Sequence, residues 1–100
     1  MDINRLFNID GKTALITGGS RGIGEMIAAG FLANGVKVYI TARKEAPLIE
    51  KAKELSEKFN GECIAITCDL SNMEGIQKLA SDYLNHEDSL DILVNNAGAA

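Results

Sequence analysis

The feature that most constrains the fold is a glycine-rich stretch near the amino terminus, Thr17-Gly18-Gly19-Ser20-Arg21-Gly22-Ile23-Gly24. It follows a short apolar run, Thr13 to Ile16, and it opens a segment whose apolar residues recur at helical spacing. This order predicts a strand, a tight turn and a helix. Glycines allow a positive φ and a close approach of the backbone, and the first N–H groups of the following helix attract an anion. The stretch is therefore a candidate phosphate cradle, although glycines also mark ordinary turns and helix caps.

The spacing of the glycines excludes one common class of phosphate loop. A P-loop requires a Lys and a Ser or Thr directly after its last glycine, whereas Glu25 and Met26 follow Gly24 here. The frequent dinucleotide fingerprint G-x-G-x-x-G is not matched in frame either, because the order is Gly18-x-x-x-Gly22-x-Gly24. The spacing therefore argues against phosphoryl transfer.

Four residues of the stretch match in frame the T-G-x-x-x-G-x-G signature of the classical short-chain dehydrogenases and reductases: Thr17, Gly18, Gly22 and Gly24. The sequence resembles this family over its whole length. Asp69-Leu70 resembles the family's Asp after the third strand, which implies a contact with adenine. Asn95-Asn96-Ala97-Gly98 matches the family's N-N-A-G, which implies a loop that steadies the sheet and lines the cofactor pocket. The general pattern is most similar to reductases of the 3-oxoacyl carrier-protein type.

Strands predicted over 12–17, 36–40, 63–66 and 90–94 alternate with three helical segments. Nearly continuous apolar strands are typical of a parallel sheet with helices on both faces. With right-handed crossovers, the first two on one face and the third on the other, the strand order is 3-2-1-4. The predicted fold is thus α/β, a Rossmann-type doubly wound parallel sheet. Its switch point lies between the first and fourth strands, where the glycine turn and the loop from Asn95 to Gly98 arrive.

Each helical segment has a predicted buried face. The first consists of Ile23, Met26, Ile27, Gly30 and Phe31. The second consists of Leu48, Ala52, Leu55 and Phe59. The third consists of Ile76, Leu79, Ala80, Tyr83 and Leu84. We expect Gly30 to let the first helix lie close to the sheet, Gly61 to end the second, and Ser71 to Glu74 to form a capping box for the third.

Composition places the chain among ordinary globular domains. One hundred residues, 46% hydrophobic and 24% charged, allow a single domain. The net charge of −4 gives no field that attracts nucleic acid or an anionic membrane, and no apolar run approaches the length of a membrane span. We therefore expect a cytoplasmic protein that binds neither. Cys63 and Cys68 lack the spacing of a metal site and are expected to be buried thiols, and His86 is expected to be a solvated residue, so no metal is predicted.

The end of the second strand predicts which dinucleotide binds. A site for NAD usually has an acidic residue there, which would repel a 2′-phosphate. Here the strand ends in Thr41-Ala42-Arg43-Lys44, and Arg21 lies in the glycine turn. These cations predict NADP(H). The predicted cofactor-binding residues are Gly18, Gly19, Ser20, Arg21, Gly22, Ile23, Gly24, Arg43, Lys44, Asp69, Leu70, Asn96, Ala97 and Gly98.

The resemblance implies a homo-oligomeric oxidoreductase that transfers hydride between NADP(H) and a carbonyl or alcohol substrate. The family's catalytic Asn, Ser and Tyr-x-x-x-Lys lie beyond N-N-A-G, and here Tyr39 and Tyr83 are followed four residues later by Arg43 and Glu87. No residue of this chain is therefore assigned as catalytic. We expect residues 1–100 to be the amino-terminal part of a single NADP-binding domain whose catalytic half is absent from the chain. A nucleotide-binding module without catalysis is the alternative.

Overall fold

Strands and helices alternate along residues 8–96, the part of the chain that the computed structural model describes. The strands are β1 (Thr13–Thr17), β2 (Lys37–Ala42), β3 (Cys63–Thr67) and β4 (Ile92–Asn95). The helices are α1 (Gly22–Ala33), α2 (Glu45–Phe59) and α3 (Met73–Leu84). The predicted order of elements is confirmed, with strand boundaries shifted by one or two residues.

The four strands are parallel and lie in the order β3-β2-β1-β4, as predicted. In this register Thr17 lies beside Thr41 on one side and beside Asn95 on the other. A parallel sheet collects the carboxyl ends of its strands at one edge, so the segments that follow all four strands meet there. The doubly wound α/β architecture is confirmed.

The two faces of the sheet bury different side chains because successive strand residues point in opposite directions. The face covered by α1 and α2 buries Ala14, Ile16, Val38 and Ile40. The face covered by α3 buries Leu15, Tyr39, Ile66, Leu79 and Tyr83. Burial of a large apolar side chain contributes about 1.5–3 kcal/mol. These two clusters therefore hold the strands in register and fix the edge at which their carboxyl ends meet.

The face that α1 turns to the sheet differs from the predicted one. Ile23 and Met26 are 69% and 73% exposed, and Gly30 is open to solvent, so their predicted place on the buried face is wrong. The buried residues of the helix are Gly24, Ala28 and Leu32. Small residues at the first two of these positions let the helix lie close to the sheet, and this approach sets its rotation. Ile27 and Phe31, which were also predicted, are half-buried at the margin.

The end of α2 lies one residue earlier than predicted. Leu48, Ala52 and Leu55 are buried as expected, while Phe59 is half-buried. The residue that takes the left-handed conformation is Asn60, with φ of 49°, and not Gly61. Asparagine tolerates this conformation better than most residues, so it can end a helix in place of glycine.

The start of α3 also differs from the prediction by one residue. Asn72 is the N-cap, and its side-chain oxygen accepts a hydrogen bond from the Gly75 N–H at 2.7 Å. Leu79 and Tyr83 are buried as predicted. Ile76, Ala80 and Leu84 are exposed, so their predicted burial is wrong. Within residues 8–96 no second helix lies beside α3 on this face to cover them.

Candidate functional site

The turn after β1 depends on glycine because of its backbone conformation. Gly18 and Gly22 have φ of 71° and 61°, which is the left-handed region that side chains disfavour. The Gly18 N–H donates to the backbone oxygen of Thr41 at 3.1 Å and lies 3.3 Å from its hydroxyl. The turn is therefore fixed to the end of β2, the strand beside it.

Two other glycines of the turn are needed for close packing. A Cβ on Gly24 would lie 2.5 Å from the Gly18 carbonyl oxygen and 2.7 Å from the Asn96 amide nitrogen. A Cβ on Gly19 would lie 2.5 Å from a methyl carbon of Ile40. Gly22 is different, because it is exposed and an added Cβ would meet no atom within 4 Å. The open side of Gly22 therefore leaves room for a ligand.

The first turn of α1 supplies hydrogen-bond donors beside that opening. Arg21 is the N-cap, but its side chain makes no capping hydrogen bond. The N–H of Glu25 bonds to the Arg21 carbonyl at 3.3 Å, and the three preceding N–H groups have no acceptor within the helix. Free N–H groups and the helix dipole favour an anion at this position. The turn and the helix can thus hold a phosphate group.

The segment after β4 is tied directly to the glycine turn. The Asn96 N–H donates to the Thr17 hydroxyl at 2.9 Å, and the Asn96 side-chain amide donates to the Gly18 carbonyl at 3.2 Å. The Thr17 hydroxyl also lies 3.2 Å from the Asn95 side-chain oxygen. Two loops almost 80 residues apart in sequence therefore form one polar junction at the switch point.

The cations predicted to bind a 2′-phosphate lie at this edge of the sheet. Arg43 and Lys44 follow β2, Arg21 lies in the turn after β1, and all three are exposed. Among residues 8–96, no carboxylate oxygen lies within 4.0 Å of their side-chain nitrogens. Their charges are therefore not neutralised by an ion pair with that part of the chain.

Asp69 and Leu70 continue the edge beyond β3, and both are half-buried. The Asp69 carboxylate accepts hydrogen bonds from the Ser71 hydroxyl at 2.6 Å and from the Ser71 N–H at 2.9 Å. These bonds hold the pKa of Asp69 below its usual value, with a smaller contribution from the charge of Arg43. Asp69 is therefore an ionised hydrogen-bond acceptor in a fixed loop.

The two cysteines and the one histidine of the sequence were expected to have no role in a site. Cys63 and Cys68 are buried free thiols, as predicted, and burial raises the pKa of Cys63 to about 12. His86 is exposed, with its ring 6.3 Å from that of Tyr39. Residues 8–96 contain no group of three or more His, Cys, Asp and Glu side chains placed to hold a metal ion. No helix in the same range is long and apolar enough to cross a bilayer.

Comparison with known proteins identifies the family. A model of the family described as short chain dehydrogenase matches residues 12–100. The chain belongs to the short-chain dehydrogenase family. The predicted resemblance is thereby confirmed for nearly the whole chain.

Two curated relatives illustrate the similarity of this short-chain dehydrogenase chain to reductases. It is 47% identical over 94 residues to the rhamnolipids biosynthesis 3-oxoacyl-[acyl-carrier-protein] reductase of Pseudomonas aeruginosa. It is 41% identical over 91 residues to the fatty acyl-CoA reductase of Acinetobacter baylyi. These alignments cover 94% and 91% of the chain but 36% and 30% of the relatives. The chain thus spans about a third of their length.

Solved structures give the same result. The Pseudomonas aeruginosa RhlG/NADP active-site complex matches with a TM-score of 0.88 and 47% identity, over 94% of this chain and 37% of that one. L-sorbose reductase from Gluconobacter frateurii, complexed with NADPH and L-sorbose, matches with a TM-score of 0.87 and 39% identity, over 92% and 35%. Both similar proteins are complexes with NADP or NADPH.

In this short-chain dehydrogenase chain, the predicted site residues lie in four segments along one edge of the sheet. The glycine turn from Gly18 to Gly24 and Asn96 are in direct contact, whereas the Arg43-Lys44 and Asp69-Leu70 segments follow β2 and β3. Ala97 and Gly98 lie outside the described residues. Sequence reasoning missed the part played by Thr41, whose only signal was a polar residue at the end of an apolar strand.

Proposed function

We propose that these residues are the cofactor-binding part of an NADP(H)-dependent oxidoreductase acting on a carbonyl or alcohol. The observation that carries the proposal is the junction of Asn96 with Thr17 and Gly18, because it brings two loops together at the switch point of the sheet. Family membership supports the reaction class. The NADP and NADPH complexes of two similar proteins support the cofactor.

Each part of the cofactor has candidate partners at this edge. The diphosphate would lie beside Gly22 and the free N–H groups of α1, where an added Cβ finds open space. The 2′-phosphate would be bound by the cations Arg21, Arg43 and Lys44. The adenine would lie beside the Asp69-Leu70 segment. Bound NADPH would supply the hydride, and the residues of this chain would bind and orient it.

The preference for NADP(H) over NAD(H) rests on charge. Arg43 and Lys44 occupy the positions where an acidic residue would favour NAD, and the first acidic residue after β2 is Glu45. A charge-assisted hydrogen bond contributes about 1.5–3 kcal/mol. We therefore expect NADP⁺ to bind at least about tenfold more tightly than NAD⁺. We expect Arg43→Asp to remove most of this difference.

Calorimetry with both dinucleotides tests the preference. Lys53→Asp is the matched control, because it makes the same charge change at an exposed position on the outer side of α2. This control should keep the preference for NADP⁺. Equal affinities of the unsubstituted protein for the two dinucleotides would contradict the proposal.

We further propose that the chain is part of a longer, cytoplasmic, homo-oligomeric protein whose catalytic residues lie outside residues 1–100. The length of the relatives supports this, since the chain spans about a third of them. The sheet supports it too, because β4 is an edge strand in the order β3-β2-β1-β4 and its Leu93 is 60% exposed. An exposed apolar edge strand is a site for pairing with further chain. The similarity of the chain to a 3-oxoacyl-[acyl-carrier-protein] reductase makes 3-oxoacyl thioesters the proposed substrates.

The chain alone is then expected to bind a dinucleotide without turning it over. A proton donor with a tuned pKa is required for carbonyl reduction, and the sequence of 100 residues has no Tyr-x-x-x-Lys pair. The test is an assay of NADPH oxidation by residues 1–100 with ketones and 3-oxoacyl thioesters, beside calorimetry with 2′,5′-ADP. Turnover that survives repurification would place the chemistry within this chain and contradict the proposal.

A further inference from the structure

An ion pair joins α1 and α2 at Glu25, the residue that follows Gly24 of the glycine turn. Lys51 of α2 places its Nζ 3.3 Å from Oε1 of Glu25, in the first turn of α1, and 2.8 Å from Oε2 of Glu54. The Lys51 and Glu25 side chains are 24% and 35% exposed, whereas Glu54 is 59% exposed. The contact with Glu25 is thus the more shielded of the two, and it joins α2 to the helix that begins at the turn.

The charge of Glu25 stabilises the helix but opposes the binding of an anion at its amino terminus. A carboxylate in the first turn of a helix interacts favourably with the helix dipole, but it repels another anion at the same helix end. Glu25 is the acidic residue of the first turn of α1, the turn that carries the free N–H groups. Within residues 8–96, Lys51 is the only Lys or Arg with a nitrogen within 4.0 Å of it.

We propose that Lys51 is a positioning residue of the diphosphate site, which neutralises Glu25 so that the first turn of α1 can accept an anion. The inference rests on the proposed function, because it assumes that a dinucleotide diphosphate lies at this helix end. Lys51 does not touch the cofactor in this proposal. It acts through Glu25, and it holds that carboxylate against α2.

The variant Lys51→Met tests the inference, because it keeps an unbranched side chain only one atom shorter and removes the charge. The Kd for NADP⁺ should rise about two- to fivefold, which corresponds to the interaction of one charge with a helix end. Adenosine 2′-monophosphate, which has no diphosphate, should bind as before. The loss should be seen at about 0.01 M salt and should largely disappear at about 1 M, where screening is complete within a few ångströms.

Two further variants separate this effect from a general change of charge or of packing. Lys53→Met removes the same charge from an exposed position on the same helix, and it should leave the Kd for NADP⁺ unchanged. In a Glu25→Gln background, Lys51→Met should have no effect on that Kd, because no carboxylate is left to neutralise.

The outcomes distinguish this inference from the proposed function. If the unsubstituted chain binds NADP⁺ and Lys51→Met binds it equally well, the inference is wrong and the proposed function stands. An equal loss for both ligands, or a loss that persists in the Glu25→Gln background, would mean that Lys51 only supports packing, and this too would overturn the inference. If the unsubstituted chain binds neither ligand, both proposals fail.

Discussion

Gly11 and Gly22 share one backbone conformation but lie at opposite edges of the sheet. Their φ angles are 80° and 61°, both are exposed, and a Cβ on either would meet no atom within 4 Å. Gly11 precedes β1, whereas Gly22 opens α1 beside the candidate phosphate position. The same substitution at both positions therefore separates the loss of stability caused by a strained backbone from the loss of binding caused by a blocked ligand site.

We expect Gly22→Val and Gly11→Val to destabilise the fold similarly, by about 1–3 kcal/mol, because a β-branched residue is strained at positive φ. Only Gly22→Val should abolish binding of the dinucleotide, since its side chain would fill the space left for the diphosphate. Urea unfolding measures the first quantity and calorimetry with NADP⁺ the second. If Gly22→Val keeps a native circular dichroism spectrum and binds normally, the glycine serves only to form the turn.

Helix α3 is positioned by another small residue, Gly75 in its first turn. A Cβ on Gly75 would overlap the backbone carbonyl of Asp69, so the helix packs directly on the segment that leaves β3. The Asn72 cap fixes the same turn through the Gly75 N–H. Gly30 in α1 is the opposite case, because it is exposed and a Cβ there would meet no atom within 4 Å.

The same substitution should therefore have opposite effects in the two helices. Gly30→Ala should raise the free energy of unfolding by about 0.5–1 kcal/mol, because alanine restricts the unfolded chain and favours helix. Gly75→Ala should lower it by about 1–3 kcal/mol, because α3 or the Asp69 segment must shift. Urea unfolding of both variants measures the two effects. A stabilising Gly75→Ala would show that α3 moves away from Asp69 at little cost.

The elements were predictable from the sequence, but the rotation of the helices was less so. Apolar runs, glycines and crossover rules were sufficient for the strand order, because these signals are local or follow from chirality. The buried face of α1 was not predictable from hydrophobicity, since Gly24 and Ala28 face the sheet while Met26 faces solvent. The glycine turn was predicted as a site from spacing, but the bonds that fix it to Thr41 and Asn96 depend on strand register, which periodicity does not give.

At the scale of the whole molecule, the edge opposite the candidate site is closed by a polar network. The Glu87 carboxylate accepts hydrogen bonds from Lys37 Nζ at 2.7 Å and from the Tyr39 hydroxyl at 2.5 Å. Tyr39 packs edge-on against Tyr83 at 5.0 Å, and the Tyr83 hydroxyl donates to the Ser89 carbonyl at 2.5 Å. These contacts hold the connection between α3 and β4 against the strands. Within residues 8–96, Arg21, Arg43 and Lys44 at the one edge have no carboxylate partner, whereas the other edge carries a paired network.

The contacts of this network shift the pKa values of Glu87, Lys37 and Tyr39 in defined directions. The hydrogen bond from Lys37 lowers the pKa of Glu87, with a further contribution from Tyr39. The same contact raises the pKa of Lys37 above its usual value. Burial raises the pKa of Tyr39 to about 12, assisted by its bond to Glu87. Folding therefore favours the charged forms of Glu87 and Lys37 and the neutral form of Tyr39.

These shifts predict the pH range over which the network stabilises the fold. The contribution of Glu87 is present above the unfolded pKa of about 4.3 and is lost as pH falls through its lower folded pKa. The contributions of Lys37 and Tyr39 are present below about pH 10 and are lost as pH rises through their higher folded pKa values. Stability from this network should thus be constant between about pH 5 and pH 10 and should fall on both sides.

The variant Glu87→Gln tests the acid side of this range. It should lower the free energy of unfolding at pH 7 by about 1 kcal/mol, because an amide replaces the carboxylate as partner of Lys37 and Tyr39. It should also flatten the decline of the free energy of unfolding between pH 5 and pH 3 relative to the unsubstituted protein.

Glu62→Gln is the control, since Glu62 lies 3.7 Å from the same Lys37 nitrogen and its side chain is 71% exposed. Its effect on the free energy of unfolding should be small. Urea unfolding at a series of pH values provides the measurement. An acid decline as steep in Glu87→Gln as in the unsubstituted protein would show that other carboxylates, such as Asp91 with its bond to the Thr13 N–H, control acid unfolding instead.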